Sequence, residues 1–386
     1  MTAKHLCLLG DANSVHVQRW ASEMLQRGWR VSVVTARPAV IEGVANLIVL
    51  PPVARSRDWL FRSGAARRAV RALAPDIVHA HYITSYGWLA ARAGLRPLVM
   101  TAWGSDLLLT PKQSVLMRWL TAWTLRQADL VTGDAIDLID EVARYRPRHT
   151  PLLVHWGVDL ARFAPVPWHS KPRFEIVSLR NWDANYRIDA IVQALALFRQ
   201  REPHAAVHLH LLGGGSLQPA LTAQVHALGL QDVVTLHGRL DDAGMAAVLA
   251  RCKVSVSVPV SDATSVSVLE SMACGLAVVA SDLPANRQWL SARPDLLLAD
   301  APASASASAR APAPASAPAS ASTSASAPPT ALAEALALAL QSLWRDDAGA
   351  QQLGALHHAR MTAEGSRGVQ MDRMAAAYLS LLAARR

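Results

Sequence analysis

Short apolar runs rich in leucine and β-branched residues alternate along the chain with stretches in which apolar residues recur every three or four positions. The runs predict buried strands and the recurring pattern predicts amphipathic helices. Their alternation is the sequence form of a parallel sheet with helices on both faces. Two such sets are legible. In the first, strands are expected at 5–9, 30–35, 76–80, 97–101 and 130–132, closing near 151–154, with helices over 21–27 and 113–126. In the second, strands are expected at 174–178, 207–212, 233–236, 254–258, 277–280 and 296–298. Prolines mark 165–172 as the linker, so the expected domains are 1–165 and 166–386. Doubly wound sheets place ligands at the carboxyl ends of their strands, in a crevice between the facing domains.

One segment breaks the alternation. Residues 301–329 are almost purely Ala, Ser and Pro, with Arg310 the only charge, and are expected to be a disordered, partly extended insertion in a surface loop. A helix over 332–344 follows it. A last helix, 368–386, carries Met371, Met374, Tyr378 and Leu381 at helical spacing.

Composition agrees with a globular chain of two domains: 386 residues, 52% hydrophobic and 17% charged. The three cysteines, Cys7, Cys252 and Cys274, sit within apolar segments, which suggests neither a disulfide framework nor a metal cluster, and implies a reducing, cytoplasmic setting. The opening MTAKHLCLLGD has only a short apolar run, and no later stretch approaches the about 18 uninterrupted apolar residues of a membrane span. The net charge of +9 favours anionic partners. Arginines cluster at 55, 57, 62, 67, 68 and 71, and again at 144, 146 and 148, but no helix-turn-helix, zinc finger or RNA-binding aromatic signature accompanies them, so nucleic acid is not expected. Trp59 and Phe61 lie inside the first basic run. That mixture suits peripheral attachment to an anionic membrane surface, here the inner face, and equally a solvated helix face over an ordinary core.

The chemistry concentrates at SDATSVSVLESMACGLAVVAS, residues 261–281. Thr264 or Ser265 is expected to cap a helix whose first N–H groups, at Val266 and Ser267, and dipole face outward and suit a diphosphate. The Ser265 and Ser267 hydroxyls add donors. Glu270, on the helix body, is placed to accept both hydroxyls of a ribose, Gly275 to end the helix, and 277–280 to form a buried strand. A D-x₇-E spacing alone is common and also fits a plain surface helix.

That D-x₇-E spacing and the run SMACGLAVVAS resemble the E-x₇-E signature and EAMACGLPVVAS of family 4 glycosyltransferases, and most closely a subgroup reading SDGTSVSLLEAMA. The resemblance extends through DANSVHVQRW, HAHY, TAWGSD, WGVDLARF, SLRNWDANYRID, LLGGGSL, LHGRL and ASDLPANRQWL, in order. It implies the GT-B fold: two Rossmann-like domains facing a cleft, the first for the acceptor and the second for the nucleotide-sugar donor, with the C-terminal helix crossing back to the first. It further implies retaining transfer of a hexose or N-acetylhexosamine from a UDP- or GDP-sugar to a hydroxyl of a glycan or lipid-linked glycan, in cell-surface polysaccharide synthesis. Neither a metal nor a cofactor is implied.

Carried onto this sequence, the resemblance assigns Arg180 to the donor diphosphate. The family's accompanying lysine falls on Tyr186, with Arg187 beside it as the remaining cation. Gly213, Gly214 and Gly215 follow a strand and permit close backbone approach to the nucleotide, and His237, Gly238 and Arg239 follow another at the base. Asp262 stands in place of the first glutamate, near the sugar. On the acceptor side, Asp11, Ala12 and Asn13 replace a glycine pair, so that Asn13, Ser14 and His16 line the first loop and helix. Trp103 occupies the histidine of the family's T-x-H-G, which shifts attention to Asp106 and His81 as candidates for contact with acceptor or sugar. The HxH pairs His79/His81 and His208/His210 lie in strand-like alternation without an evident third ligand, so no metal is expected there. Two other readings stand beside the transferase: a nucleotide-sugar epimerase of similar fold, and a degenerate paralogue that binds nucleotide sugar or glycan without turnover. A phosphorylase is disfavoured because none of the four lysines, Lys4, Lys112, Lys171 and Lys253, has a setting suited to pyridoxal phosphate.

Overall fold

A computed structural model describes residues 3–262, 264–299 and 330–384, with only the backbone of residues 56 and 57. The Ala/Ser/Pro segment 301–329 lies outside the described residues. The chain divides into two units, Met1–Asp159 with Ala363–Arg386, and Leu160–Thr362. The boundary falls a few residues before 165/166, and the C-terminal segment groups with the first unit.

In the first unit the elements run β1 (His5–Leu9), α1 (Val15–Gln26), β2 (Arg30–Thr35), β3 (Asn46–Val49), α2 (Ser63–Leu73), β4 (Ile77–His81), α3 (Trp88–Ala93), β5 (Leu98–Thr101), α4 (Ser105–Leu108), α5 (Val115–Leu125), β6 (Leu130–Gly133), α6 (Ile136–Arg144) and β7 (Leu152–Leu153). The strands form one seven-stranded sheet in the order β3-β2-β1-β4-β5-β6-β7, with every pairing parallel. Order reverses between β1 and β4, where Leu8 lies opposite His79. All of β1 and β4 is buried: β1 is apolar from Leu6 to Leu9, whereas β4, IVHAH, carries His79 and His81 among its apolar residues. β3 was not among the expected strands. It is an edge strand whose four residues are half-buried or exposed, so its sequence carries a weak signal.

The core of this unit packs Leu6, Leu8, Val31 and Val33 of the sheet against Val17, Trp20, Ala21 and Met24 of α1 and against Met371, Met374 and Tyr378 of the last helix. A chain of polar contacts ties that helix in. Trp20 Nε1 donates to Tyr378 Oη (3.0 Å), which lies 2.5 Å from His79 Nδ1, and His79 Nε2 lies 2.6 Å from Thr101 Oγ1. His79 is thus a satisfied core residue.

The second unit contains β8 (Phe174–Ser178), α7 (Ile188–Arg201), β9 (Val207–Leu212), α8 (Gln218–Ala227), β10 (Val234–Gly238), α9 (Asp242–Leu249), β11 (Val254–Ser257), α10 (Val266–Ala273), β12 (Ala277–Ser281), α11 (Pro284–Trp289), β13 (Leu297–Leu298), α12 (Ala331–Arg345) and α13 (Asp347–Arg360); α14 (Arg367–Ala383) completes the chain and belongs to the first unit. Its six-stranded parallel sheet has the order β10-β9-β8-β11-β12-β13, with the reversal between β8 and β11. Ile176, Leu209, Leu211, Val254, Val256 and Val279 face a core completed by α7 and α12. The expected linker 165–172 is instead part of this unit. Trp168 is buried and donates through Nε1 to Asp347 Oδ2 (3.0 Å), and the buried Lys171 Nζ donates to the Cys252 carbonyl (2.8 Å). Prolines here shape a packed turn rather than a tether.

Candidate active site

In the second unit the carboxyl ends of β8, β9, β10 and β11 bring the donor-side residues together. Arg180, two residues past β8 and only 9% exposed, is the hub. Its Nη1 donates to the Ser265 hydroxyl and to Ser267 Oγ (3.0 Å), and its Nη2 donates to Asp262 Oδ2 (2.5 Å). The guanidinium carbon lies 4.5 Å from the centroid of the Tyr186 ring, so the residue in the family's lysine position forms a shelf beneath the arginine.

Ser265 is the N-cap of α10, with extended backbone, but its hydroxyl does not cap a helix N–H. It is engaged by Arg180 and lies 2.9 Å from Ser267 Oγ. The first N–H groups of the helix have no intrahelical carbonyl to meet. Asp262, Ser265, Ser267 and Arg180 thus form one polar cluster at the positive end of α10. Glu270 is buried on the same helix, and Gly275, with φ of +70°, ends it in the left-handed conformation.

The glycine run packs tightly against its neighbours. Gly213 has φ of +152°, and a Cβ there would collide with the Arg180 carbonyl; a Cβ on Gly215 would lie 2.5 Å from the Trp182 carbonyl oxygen. The loop therefore lies directly against the segment carrying Arg180, fixed by Trp182 N–H to the Gly214 carbonyl (3.1 Å) and Gly213 N–H to the Gly238 carbonyl (2.9 Å). Arg239 lies alongside Gly214, and Gly238 has φ of +71°.

Arg187 has another task than the expected phosphate contact. In left-handed conformation (φ 51°) at the start of α7, it donates to the carbonyls of Val258 (2.7 Å) and Pro259 (3.0 Å) and to Ser281 Oγ (3.1 Å), binding the ends of β11 and β12 together. Asn185, to which sequence reasoning gave no role, completes this brace. Its side chain donates to the Ser261 carbonyl (3.0 Å) and accepts from Ser261 N–H (3.2 Å), fixing the loop that presents Asp262. The signal was present in SLRNWDANYRID, but a lone Asn does not reveal which loop it ties.

In the first unit, His81 ends β4 and is 1% exposed. Neither ring nitrogen has a hydrogen bond among the described residues. Burial is the main cause that holds its imidazole neutral, at about 3, with the nearby His16 adding to it. The rings of His79 (4.3 Å), Trp20 (5.0 Å) and Trp103 (6.0 Å) surround it. His16, in the first turn of α1, gives its N–H to the capping Ser14 Oγ (3.2 Å) and stacks at 4.0 Å on Trp156, with Trp103 edge-on at 5.4 Å. Its imidazole is held down to about 4, by burial first and then by Arg19. Trp156 was not singled out from the sequence, although it lies in WGVDLARF. Asn13 turns back on its loop, its N–H on Asp11 Oδ1 (3.0 Å) and its Nδ2 on the Arg37 carbonyl (3.4 Å).

Asp106 departs from the expected acceptor contact. It is fully buried, and its carboxylate accepts Ile83 N–H (2.7 Å) and Trp103 N–H (3.0 Å). Burial outweighs those bonds and pushes it up to about 6. It holds in place the two loops that carry His81 and Trp103. Between them Tyr82 adopts φ of +73°, a costly conformation for an aromatic residue. A cavity of about 720 Å³ opens beside these residues, with His81, Trp103, Tyr82, Asp11 and Arg37 on its polar side.

Residues 5–135 match the family model described as Glycosyl transferase 4-like, and residues 173–311 match that of Glycosyl transferases group 1. The chain belongs to the family 4, group 1 glycosyltransferases. A D-inositol 3-phosphate glycosyltransferase of Arthrobacter sp. (strain FB24) is 26% identical over 321 residues, covering 70% of this chain and 74% of that protein. Among solved structures, sucrose-phosphate synthase from Thermosynechococcus elongatus superposes with a TM-score of 0.72 at 19% identity, over 99% of this chain and all of that one. Anabaena HepE, solved in complex with UDP and glucose, gives a TM-score of 0.71 at 14% identity over 98% of this chain and all of that one. At these identities the structural likeness is one of fold, and that fold is GT-B.

A separate polar network lies within the second sheet of this glycosyltransferase. Glu175, His210 and Cys252 bring one ligand atom each within 4.8 Å of one another. His210 sits 3.0 Å from both Glu175 Oε2 and His237 Nε2, and the Cys252 thiol donates to the Val248 carbonyl (3.2 Å). Burial is the largest cause that holds His210 down to about 4 and pushes the Cys252 thiol up.

Proposed function

We propose that this glycosyltransferase moves a hexosyl or N-acetylhexosaminyl group from a nucleoside-diphosphate sugar to a hydroxyl of a glycan or lipid-linked glycan, with retention, in cell-surface polysaccharide synthesis. The single observation that carries the reading is Arg180, bound to Asp262, Ser265 and Ser267 at the start of α10. A buried guanidinium and the positive end of a helix together suit a departing diphosphate. The donor therefore belongs in the second unit, its phosphates at Ser265, Val266, Ser267 and Arg180, its ribose at Glu270, its nucleotide half along Gly213–Gly215, Gly238 and Arg239. UDP is the first nucleotide to test, since HepE was solved with it.

The chemical step follows from the charges. As the glycosidic C–O bond to the diphosphate breaks, negative charge grows on the leaving oxygen, where Arg180 and the helix stabilise it, and the same phosphate oxygen takes the proton of the attacking hydroxyl on the sugar face it leaves. One well-placed donor in a comparable oxyanion site supplies about 3 to 4 kcal/mol of transition-state stabilisation. No general base from the protein is required, and neutral His81 and His16 fit a site that positions a hydroxyl. Charge is supplied by arginine and dipole, without metal or cofactor.

No helix among the described residues is long and apolar enough to cross a membrane. We place the protein in the cytoplasm, peripheral on the inner membrane face, on the strength of its net charge of +9 and of Phe61 exposed within a run of arginines. Product analysis by NMR tests the reading. Transfer to an added acceptor with the donor's anomeric configuration kept supports it, an inverted anomer contradicts the retaining mechanism, and interconversion of the donor without acceptor identifies an epimerase.

A further inference from the structure

Within the second sheet lies a group of side chains that the proposed transfer does not use. Glu175 is the second residue of β8, His210 the fourth of β9, and Cys252 stands two residues before β11. The pair His208/His210 has no third ligand near it in the sequence. The fold supplies one: Glu175, His210 and Cys252 each bring a ligand atom within 4.8 Å of the others.

The backbone holds these three residues in place. Lys253 N–H donates to the Glu175 carbonyl (2.9 Å) and Lys171 Nζ to the Cys252 carbonyl (2.8 Å), so the turn that carries the thiol is fastened to β8 and to a buried cation. Cys252 is fully buried and the His210 side chain is 5% exposed, while the Glu175 side chain reaches solvent at 15%. His210 Nδ1 lies 3.0 Å from His237 Nε2. With the imidazole proton on Nδ1 and donated to His237, Nε2 turns its lone pair toward the Glu175 carboxylate, 3.0 Å away. His208 takes no part, because its Nε2 is engaged with Thr235 Oγ1 (2.8 Å).

We propose that Glu175, His210 and Cys252 bind a divalent zinc ion, with a water from the exposed side of Glu175 as the fourth ligand. Carboxylate oxygen, imidazole nitrogen and thiolate sulfur are all ligands that zinc takes, and tetrahedral bonds of about 2.0 to 2.3 Å set them about 3.3 to 3.8 Å apart. Glu175, the ligand with solvent beside it, has the freedom to adjust to that spacing. On binding, the Cys252 thiol gives up the proton it shares with the Val248 carbonyl (3.2 Å), and that carbonyl keeps the Arg251 N–H (3.1 Å). Two anionic ligands then balance the charge of the ion. Arg251 is the competing cation: its Nε lies 3.6 Å from Glu175 Oε2, and its side chain, 56% exposed, is free to turn into solvent. The ion joins β8, β9 and the turn into β11, whereas Arg180 lies past the carboxyl end of β8. Its role is therefore structural, and the transfer chemistry stays with arginine and the helix.

The test is a titration of the full, untagged chain, freed of metal by chelator and buffer exchange and kept reduced by a phosphine, with Co²⁺ as the spectroscopic probe. One equivalent should give the near-ultraviolet charge-transfer band of a cobalt–thiolate bond and the intense visible bands of tetrahedral cobalt, and one equivalent of Zn²⁺ should bleach both. Cys252→Ser should remove the charge-transfer band and weaken binding at least about tenfold, although Cys7 and Cys274 remain. Arg251→Gln, at an exposed position, should bind about two- to fivefold more tightly, since the cation that competes for Glu175 is gone. Zn²⁺ should raise the Tm of wild type and of Arg251→Gln but not that of Cys252→Ser. The absence of a thiolate band, a band that survives Cys252→Ser, or an affinity in Arg251→Gln no higher than wild type overturns the proposal.

Discussion

Arg180 rests on the ring of Tyr186, 4.5 Å from its centroid, while the same guanidinium donates to Asp262, Ser265 and Ser267. The ring of Tyr186 is thus the surface on which the Arg180 guanidinium lies. Cation–π contacts of this kind contribute about 0.5 to 2 kcal/mol. Tyr186→Ala should therefore lower kcat about 2- to 30-fold with Tyr186→Phe near wild type, measured by steady-state release of the nucleoside diphosphate. Equal rates for Tyr186→Ala and wild type would remove the orienting role.

Replacing Arg180 by lysine keeps the charge but not the fork that reaches three acceptors at once. Arg180→Lys and Arg180→Ala should both reduce kcat by about 10²- to 10³-fold, with a much smaller change in donor KM. Rescue by lysine would show that charge alone suffices.

His81 is buried with two ring nitrogens that have no hydrogen bond among the described residues, an arrangement that costs stability. His81→Phe should leave the protein as stable as wild type or more so at pH 7, while lowering acceptor turnover at least tenfold. The pH dependence has a definite sign. The unfolded imidazole takes up a proton below about 6.5, whereas the folded one stays neutral down to about 3. The native state therefore loses stability as pH falls from 6.5 towards 3, by up to about 1.4 kcal/mol per pH unit from this group. Comparing denaturant midpoints of wild type and His81→Phe at pH 7 and pH 5 isolates that contribution, and the variant should gain on wild type at the lower pH. A constant difference would mean that His81 takes up its proton as readily in the fold as in the unfolded chain.

Gly215 leaves no room for a side chain against the Trp182 carbonyl, 2.5 Å from where a Cβ would stand. Gly215→Ala should lower stability by about 1 to 3 kcal/mol and raise donor KM, because relieving the clash moves the segment that holds Arg180. Normal melting and normal KM together would show that the loop yields without cost.

If arginine and the helix dipole carry the leaving-group charge, chelation with EDTA should leave turnover within twofold of the untreated rate. Loss of activity restored by a divalent cation would assign that charge to a metal.

The sheets were legible because parallel strands buried on both faces write themselves as short apolar runs, as at His5–Leu9 and Phe174–Ser178. The edge strand Asn46–Val49 was not, since half its surroundings are solvent. The stretch 165–172 looked like a tether by its prolines, and only the structure shows Trp168 and Lys171 anchoring it. At the candidate site, residue type and spacing brought out Ser265 and Ser267, the family resemblance brought out Arg180 and Asp262, and the fold gathers the four into one cluster. They could not separate a charge that faces a ligand from one that holds a loop. Arg187 and Asp106 are of the second kind: Arg187 bonds the Val258 and Pro259 carbonyls, and Asp106 bonds the N–H groups of Ile83 and of nearby Trp103. Trp156 and Asn185 escaped notice for the same reason: their meaning lies in what they touch.

The measurement that bears most directly on the proposed function is calorimetric titration of the protein with UDP-, GDP- and ADP-sugars, in parallel with Glu270→Ala. One donor should bind selectively and saturably to the wild-type protein, and that binding should disappear in Glu270→Ala while the variant melts at the wild-type temperature. Absence of binding by every donor, or binding that Glu270→Ala leaves intact, would contradict the assignment of the nucleotide-sugar site to α10 and Arg180.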